Sequence, residues 1–160
     1  MQHVLQISRK IDYALRGMIY LAGLPDGLVV PLVDIVEATG LPRDFLAKIL
    51  KLLTERGLVR SVRGAHGGYQ LARTARTISF LEVIEAAEGK VQINVCLDHK
   101  DRCDVSASCT MYHVWQRGQE RMLEVYRSTS LAELAQPKAE AAAPISLGLG
   151  ARDRQGESSR

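Results

Sequence analysis

Apolar residues recur at intervals of three and four along most of the chain, and the phase of that recurrence divides it into helices. Ile11, Ala14, Leu15, Met18, Ile19 and Ala22 mark one face of a first helix expected from about Ser8 to Ala22. The run "GLPDG" breaks it. A second helix enters through Pro31 in "VVPLVDIVEATG" and leaves at Gly40. In "LPRDFLAKILKLLTERG", Phe45, Leu46, Ile49, Leu50, Leu52 and Leu53 form the stripe expected to be buried, and Gly57 is placed to end the helix. Two short helices joined by a tight Gly-Leu-Pro turn are the helix-turn-helix plan.

The period then changes. "LVRSVRG" alternates apolar and polar residues and "GGYQLAR" resumes an extended pattern, so Leu58–Val62 and Tyr69–Ala72 are expected as two strands. The turn "RGAHGG" between them carries Arg63 and His66 at its tip, and its three glycines permit close approach to a surface. Ser79 and Glu82 form a capping box that starts a short helix closed by Gly89. A polar loop follows from about Lys90 to Cys109. A long helix is expected from about Thr110 to Ser128, with Met111, Val114, Trp115, Met122, Val125 and Tyr126 on one side. That stripe suits packing against the same helix of a second subunit. Residues 1–135 therefore form one regulator-sized domain, and the Pro-, Gly-, Ala- and charge-rich residues 136–160 are expected to be a disordered tail. The fold class is mainly α with a small β-hairpin wing: a winged helix-turn-helix DNA-binding domain plus a long dimerisation helix.

Charge sharpens this picture. The net charge of the 160 residues is only +3, but residues 41–76 hold eight Lys and Arg against Asp44 and Glu55. A field concentrated in the helix-turn-helix and wing is the footprint of a module that meets phosphate. Arg43, Lys48 and Lys51 lie on the face opposite the expected stripe, where such helices enter a major groove. Arg60, Arg63 and His66 extend the basic surface along the wing, and an Arg at its tip can enter a narrow minor groove. The expected partner is double-stranded DNA. No apolar run reaches the length a membrane helix needs, so no membrane partner is expected.

All three cysteines, Cys96, Cys103 and Cys109, fall in "VCLDHKDRCDVSASC". An odd number, with no other thiol and an N-terminus unlike a secretory signal, argues against disulfides and for a reducing cytoplasm. Their polar neighbours argue against ordinary core packing. Thiolates are soft ligands that favour iron–sulfur clusters and zinc. Structural zinc usually takes paired cysteines two to four residues apart, and the loop has none, so its spacing suits a cluster better. Three thiolates leave one position of four to another donor. Cys109 and His113, four apart, also allow a nucleophile and base, but no oxyanion site or orienting carboxylate accompanies them, so an enzyme is not expected.

The segments "KIDYALRGMIYLA", "LPRDFLAKILKLLTERGLVRSVRGAHGGYQLAR" and "ISFLEVIEAAEG", with the three-cysteine loop and the Trp-containing helix after it, resemble the Rrf2 family of bacterial winged-helix transcription factors. The resemblance runs from about Ser8 to Ser130. It implies a homodimeric repressor or activator in which Cys96, Cys103 and Cys109 hold a 2Fe–2S or 4Fe–4S cluster. Branches of the family that sense nitric oxide, iron, or iron–sulfur and redox status are all compatible with it. The pattern of the iron–sulfur-biogenesis branch has a His three residues after the last cysteine, where this chain has Tyr112, with His113 one later. Asp12 matches the carboxylate ligand that the nitric-oxide-sensing branch takes from the first helix of the partner subunit. Asp12 and His113 are thus rival fourth ligands, and Asp12 is equally placed to pair with Arg9 or Arg16. A zinc- or thiol-based redox regulator without a cluster is the alternative.

Overall fold

The computed structural model describes residues 7–97 and 108–135. Cys103 and the expected tail at 136–160 lie outside the described residues. Helix α1 (Arg9–Ala22) starts where Ser8, itself extended, accepts through its Oγ from the backbone N–H of Ile11. Helix α2 (Leu32–Thr39) follows Pro31, which caps the helix from outside its first turn, and stops at Gly40 in a left-handed conformation. Helix α3 (Arg43–Glu55) begins two residues after the buried Leu41, so the turn between the two helices is anchored by its own apolar residue.

Strands β1 (Val59–Val62) and β2 (Gly68–Leu71) form an antiparallel hairpin with Arg60 opposite Gln70 and Val62 opposite Gly68. Val30 joins this ribbon by a two-way backbone pairing with Tyr69, at 2.9 and 2.8 Å. That approach explains Gly68: a Cβ there would lie 2.2 Å from the Val30 carbonyl oxygen. Gly67 is held to glycine by the same kind of contact with the Val62 carbonyl, whereas Gly64 adopts a φ of +115° that other residues rarely reach.

Helix α4 (Phe80–Glu88) carries the full Ser79–Glu82 capping box. Past a short 3-10 turn at Val95–Leu97 and the segment outside the described residues come helix α5 (Tyr112–Ser128) and a short helix α6 (Leu131–Leu134), the last among the described residues. Helix α1 is the hub: α2, α3, α4, α6 and β2 all pack on it. The core joins Met18, Ile35, Leu46, Leu50, Leu53, Ile78 and Leu131, each almost fully buried. Among the described residues no helix is long and apolar enough to cross a membrane.

Two expectations change. Phe45 leaves the buried stripe, with 60% of its surface exposed, and Leu52 is only half-buried, because the buried face of α3 is set by Leu46, Ile49, Leu50 and Leu53. Tyr126 turns away from the α5 stripe and packs edge-on against Phe80 of α4, ring centroids 5.1 Å apart. Beyond α5 the chain stays on the domain. Leu131 returns to the core, its backbone N–H donating to the Ile78 carbonyl over 2.9 Å.

Candidate nucleic-acid interface and cysteine centre

Arg43, Lys48 and Lys51 are all exposed on α3, away from its buried face, while Ala47 is half-buried between them. Arg63 and His66 are exposed in the hairpin turn, and Arg60 is exposed on β1. The structure brings Lys48 together with two cations from α1: Arg9, Lys10 and Lys48 line one cleft of about 360 Å³ with Tyr13 and Phe45. Arg60 opens instead onto a smaller cleft beside Asp26 and the loop after α1, and shares no lining residue with the first.

Arg9 and Lys10 were not singled out by the patterns above, though the sequence carries a signal for them. Both occupy the first turn of α1, and Arg43 occupies the first turn of α3. The helix dipole disfavours cations at these ends and favours anions. Cations placed there against the local rule, beside backbone N–H groups that attract phosphate, make this surface a candidate for anion contact. Not every basic residue of the 41–76 segment contributes. Arg73 donates to the Thr77 carbonyl and pairs with Glu82, so its charge is used inside the fold. Glu82 responds accordingly. Desolvation raises its pKa, but hydrogen bonds from Ser79 and Arg73 outweigh that, and the carboxyl ends below its ordinary value.

The two described cysteines are free thiols that flank the segment at 98–107. Cys96 is buried, with 8% exposure, yet it stands outside the main apolar cluster. It sits in the 3-10 turn that packs on α5, and Cys109 is half-buried just ahead of that helix. The arm leading to Cys96 is fastened where the Ile93 N–H donates to Gln119 Oε1 over 3.0 Å. A pair of soft, unpaired sulfur donors in this position fits a thiolate-bound group. Among the described residues no three His, Cys, Asp or Glu side chains come together, and Cys103 is not one of those residues.

Asp12 is partly exposed in the first turn of α1 and pairs with Arg16 at 3.0 Å, one helical turn on. His113 is exposed, its ring meeting Tyr112 at 5.8 Å. Cys109 precedes α5, so the helical four-residue spacing proposed for a Cys109–His113 nucleophile and base is not formed. One further surface stands out. Helix α5 buries none of its residues in the described chain, and Met111, Val114, Trp115 and Val125 are exposed along it.

A helix-turn-helix followed by a two-stranded wing, with cations on the second helix and at the wing tip, defines a winged-helix protein of the regulator class. The chain belongs to the Rrf2 family, described as iron-dependent transcriptional regulators, whose family model matches residues 7–137. It is similar to CymR (YrzC), the global cysteine regulator of B. subtilis, at 30% identity and a TM-score of 0.68, over 82% of this chain and 96% of that one. It is also similar to T. potens IscR, at 33% identity and a TM-score of 0.63, over 81% of this chain and 85% of that one. Staphylococcus aureus CymR matches at 31% identity with a TM-score of 0.63, over 81% of this chain and 98% of that one.

Proposed function

We propose that this transcriptional regulator is a homodimer that binds operator DNA through α3 and the wing, and that an iron–sulfur cluster on Cys96, Cys103 and Cys109 sets its DNA affinity. The observation that carries the reading is the place of the free thiols Cys96 and Cys109. They flank a segment that runs from the winged domain to α5, the helix with the exposed apolar stripe. Arg43, Lys48, Lys51, Arg60, Arg63 and His66, joined by Arg9 and Lys10, supply the phosphate and groove contacts. A second copy of the chain covers Met111, Val114, Trp115 and Val125, which spaces two recognition helices for two half-sites.

The cluster contributes electron exchange and sensitivity to oxidants, nitric oxide or iron supply. The cysteines contribute the grip, and Asp12 or His113 completes it. Asp12 is available because an exposed ion pair such as Asp12–Arg16 stabilises by well under 1 kcal/mol and is readily exchanged for another partner. A gain or loss at the thiols bears directly on α5, since the arm before Cys96 is bonded to Gln119. A tenfold change in DNA affinity needs a difference of only about 1.4 kcal/mol between the two states.

The description of the family as iron-dependent and the likeness to T. potens IscR support the cluster reading. The likeness to Staphylococcus aureus CymR, also matched in an oxidized form, supports one other: a thiol-based redox switch at the same residues, with or without zinc. Anaerobic purification followed by visible absorption and by iron, sulfide and zinc analysis separates them. Iron and sulfide with a visible chromophore are expected, and a colourless protein carrying zinc or no metal supports the second reading.

A further inference from the structure

The cleft between the N-terminal turns of α1 and α3 holds a feature that phosphate contacts do not use. Phe45, the third residue of α3, leaves 60% of its surface exposed although Leu46 beside it is fully buried. Its ring nevertheless has two neighbours. Tyr13 meets it edge-on, centroids 6.4 Å apart at 76°, and Lys48 Nζ lies 6.0 Å from its centroid. The rim is cationic: Arg9, Lys10 and Lys48 line the cleft and Arg43 stands two residues before Phe45. The nearby carboxylates are Asp44, on the same turn, and Asp12, which is paired with Arg16.

An exposed apolar surface inside a ring of cations suits a partner that is apolar at the centre and anionic around it. The major groove of DNA offers that combination at one base: thymine projects its 5-methyl group into the groove between two phosphate strands. Apolar side chains, Phe among them, make this contact in known readouts. Phe45 also sits in the N-terminal turn of the recognition helix, the part that reaches base edges. We infer that Phe45 is a specificity-determining residue that reads a thymine methyl group in each half-site, with Arg9, Lys10 and Lys48 holding the phosphates beside it. This inference rests on the DNA-binding reading above.

The test starts from duplexes selected by the full-length protein from a random-sequence library, with each thymine of the selected half-site then replaced in turn by deoxyuridine, which lacks only the methyl group. One position in each half-site should lose affinity about fourfold, the effect of about 0.8 kcal/mol for one buried methyl-sized group. Phe45→Ala, whose lost side chain is mostly exposed, should bind the unmodified duplex more weakly and show no penalty for deoxyuridine at that position. Insensitivity of the unaltered protein to deoxyuridine at every position overturns the inference without any variant. So does a penalty that persists in Phe45→Ala, or a uniform loss across all sequences, which would place the ring against sugar and phosphate. Failure to enrich any duplex would instead remove the DNA-binding reading itself.

Discussion

The backbone N–H of Ile93 donates to the side-chain oxygen of Gln119 over 3.0 Å, which ties the arm entering Cys96 to the middle of α5. A Cβ added at Gly118, beside Gln119, would lie 4.0 Å from the end of the Ile93 side chain, so the arm passes next to this turn of the helix. The bond couples the cysteine segment to the helix proposed to meet the second subunit. Gln119→Ala should lower unfolding stability by about 1 kcal/mol, because the Ile93 N–H loses its partner. It should also shorten the lifetime of the visible chromophore in air. Thermal or urea unfolding and absorption decay measure the two effects, and an unchanged decay would uncouple Gln119 from the cysteine centre.

Arg63→Ala should weaken operator binding without unfolding the chain, since Arg63 is exposed in the hairpin turn. The dimer loses one phosphate-neutralising charge per half-site, which lowers the slope of log affinity against log salt by about two. Joint replacement of Arg9 and Lys10 by Ala should lower it by about four. Gel-shift titrations across a salt series check both, and unchanged slopes would take these residues out of the interface.

The α5 stripe gives a prediction about assembly. Val114 is 66% exposed and Trp115 lies beside it, so Val114→Glu or Trp115→Glu leaves the fold of one subunit intact. In a covered seam the unpaired charge costs about 3 kcal/mol or more, and the dimer should dissociate at micromolar concentration with a parallel loss of DNA affinity. Sedimentation velocity measures this, and a variant that stays dimeric would move the seam elsewhere.

How far the sequence could be read depended on the range of the forces involved. The Ser79–Glu82 capping box and the glycine stop at Gly40 were legible because both act within one helical turn. The same local signal at Ser130 and Glu133 was passed over, and with it α6. The reason Leu131 is buried lies far away in the chain, at Ile78, where periodicity carries no information. Phe45 shows the limit of counting apolar residues: it lies on the flank of α3, and only packing against α1 decides that Leu46 and Ile49 go inward and Phe45 does not. The cations of the proposed DNA surface are legible within α3 and the wing, whereas Arg9 and Lys10 come beside Lys48 only through the docking of α1 on α3.

Acid should uncover the role of Glu82. Its folded-state pKa lies below the ordinary value of 4.5, held there by hydrogen bonds from Ser79 and Arg73 that outweigh desolvation. A carboxyl whose pKa falls on folding contributes stability that is present above the unfolded value and is lost as pH drops through the folded one. Glu82→Ala should therefore cost about 1 kcal/mol at neutral pH, the usual effect of losing a cap, and less as the pH falls below 4.5. Urea unfolding across that range measures it, and a cost that does not shrink in acid would show that charge on Glu82 is not the cause.

The central claim is that Cys96, Cys103 and Cys109 together hold a cluster whose state sets DNA affinity. Its most direct test is one anaerobic sample series, the unaltered protein and the variants Cys96→Ala, Cys103→Ala and Cys109→Ala, each read for visible absorption and for affinity to a selected duplex. The account predicts a chromophore in the unaltered protein, its loss in every variant, a retained helical dimer, and a shift in DNA affinity of about tenfold or more that matches removal of the cluster from the unaltered protein. Variants that keep both the colour and the unaltered DNA response would contradict it.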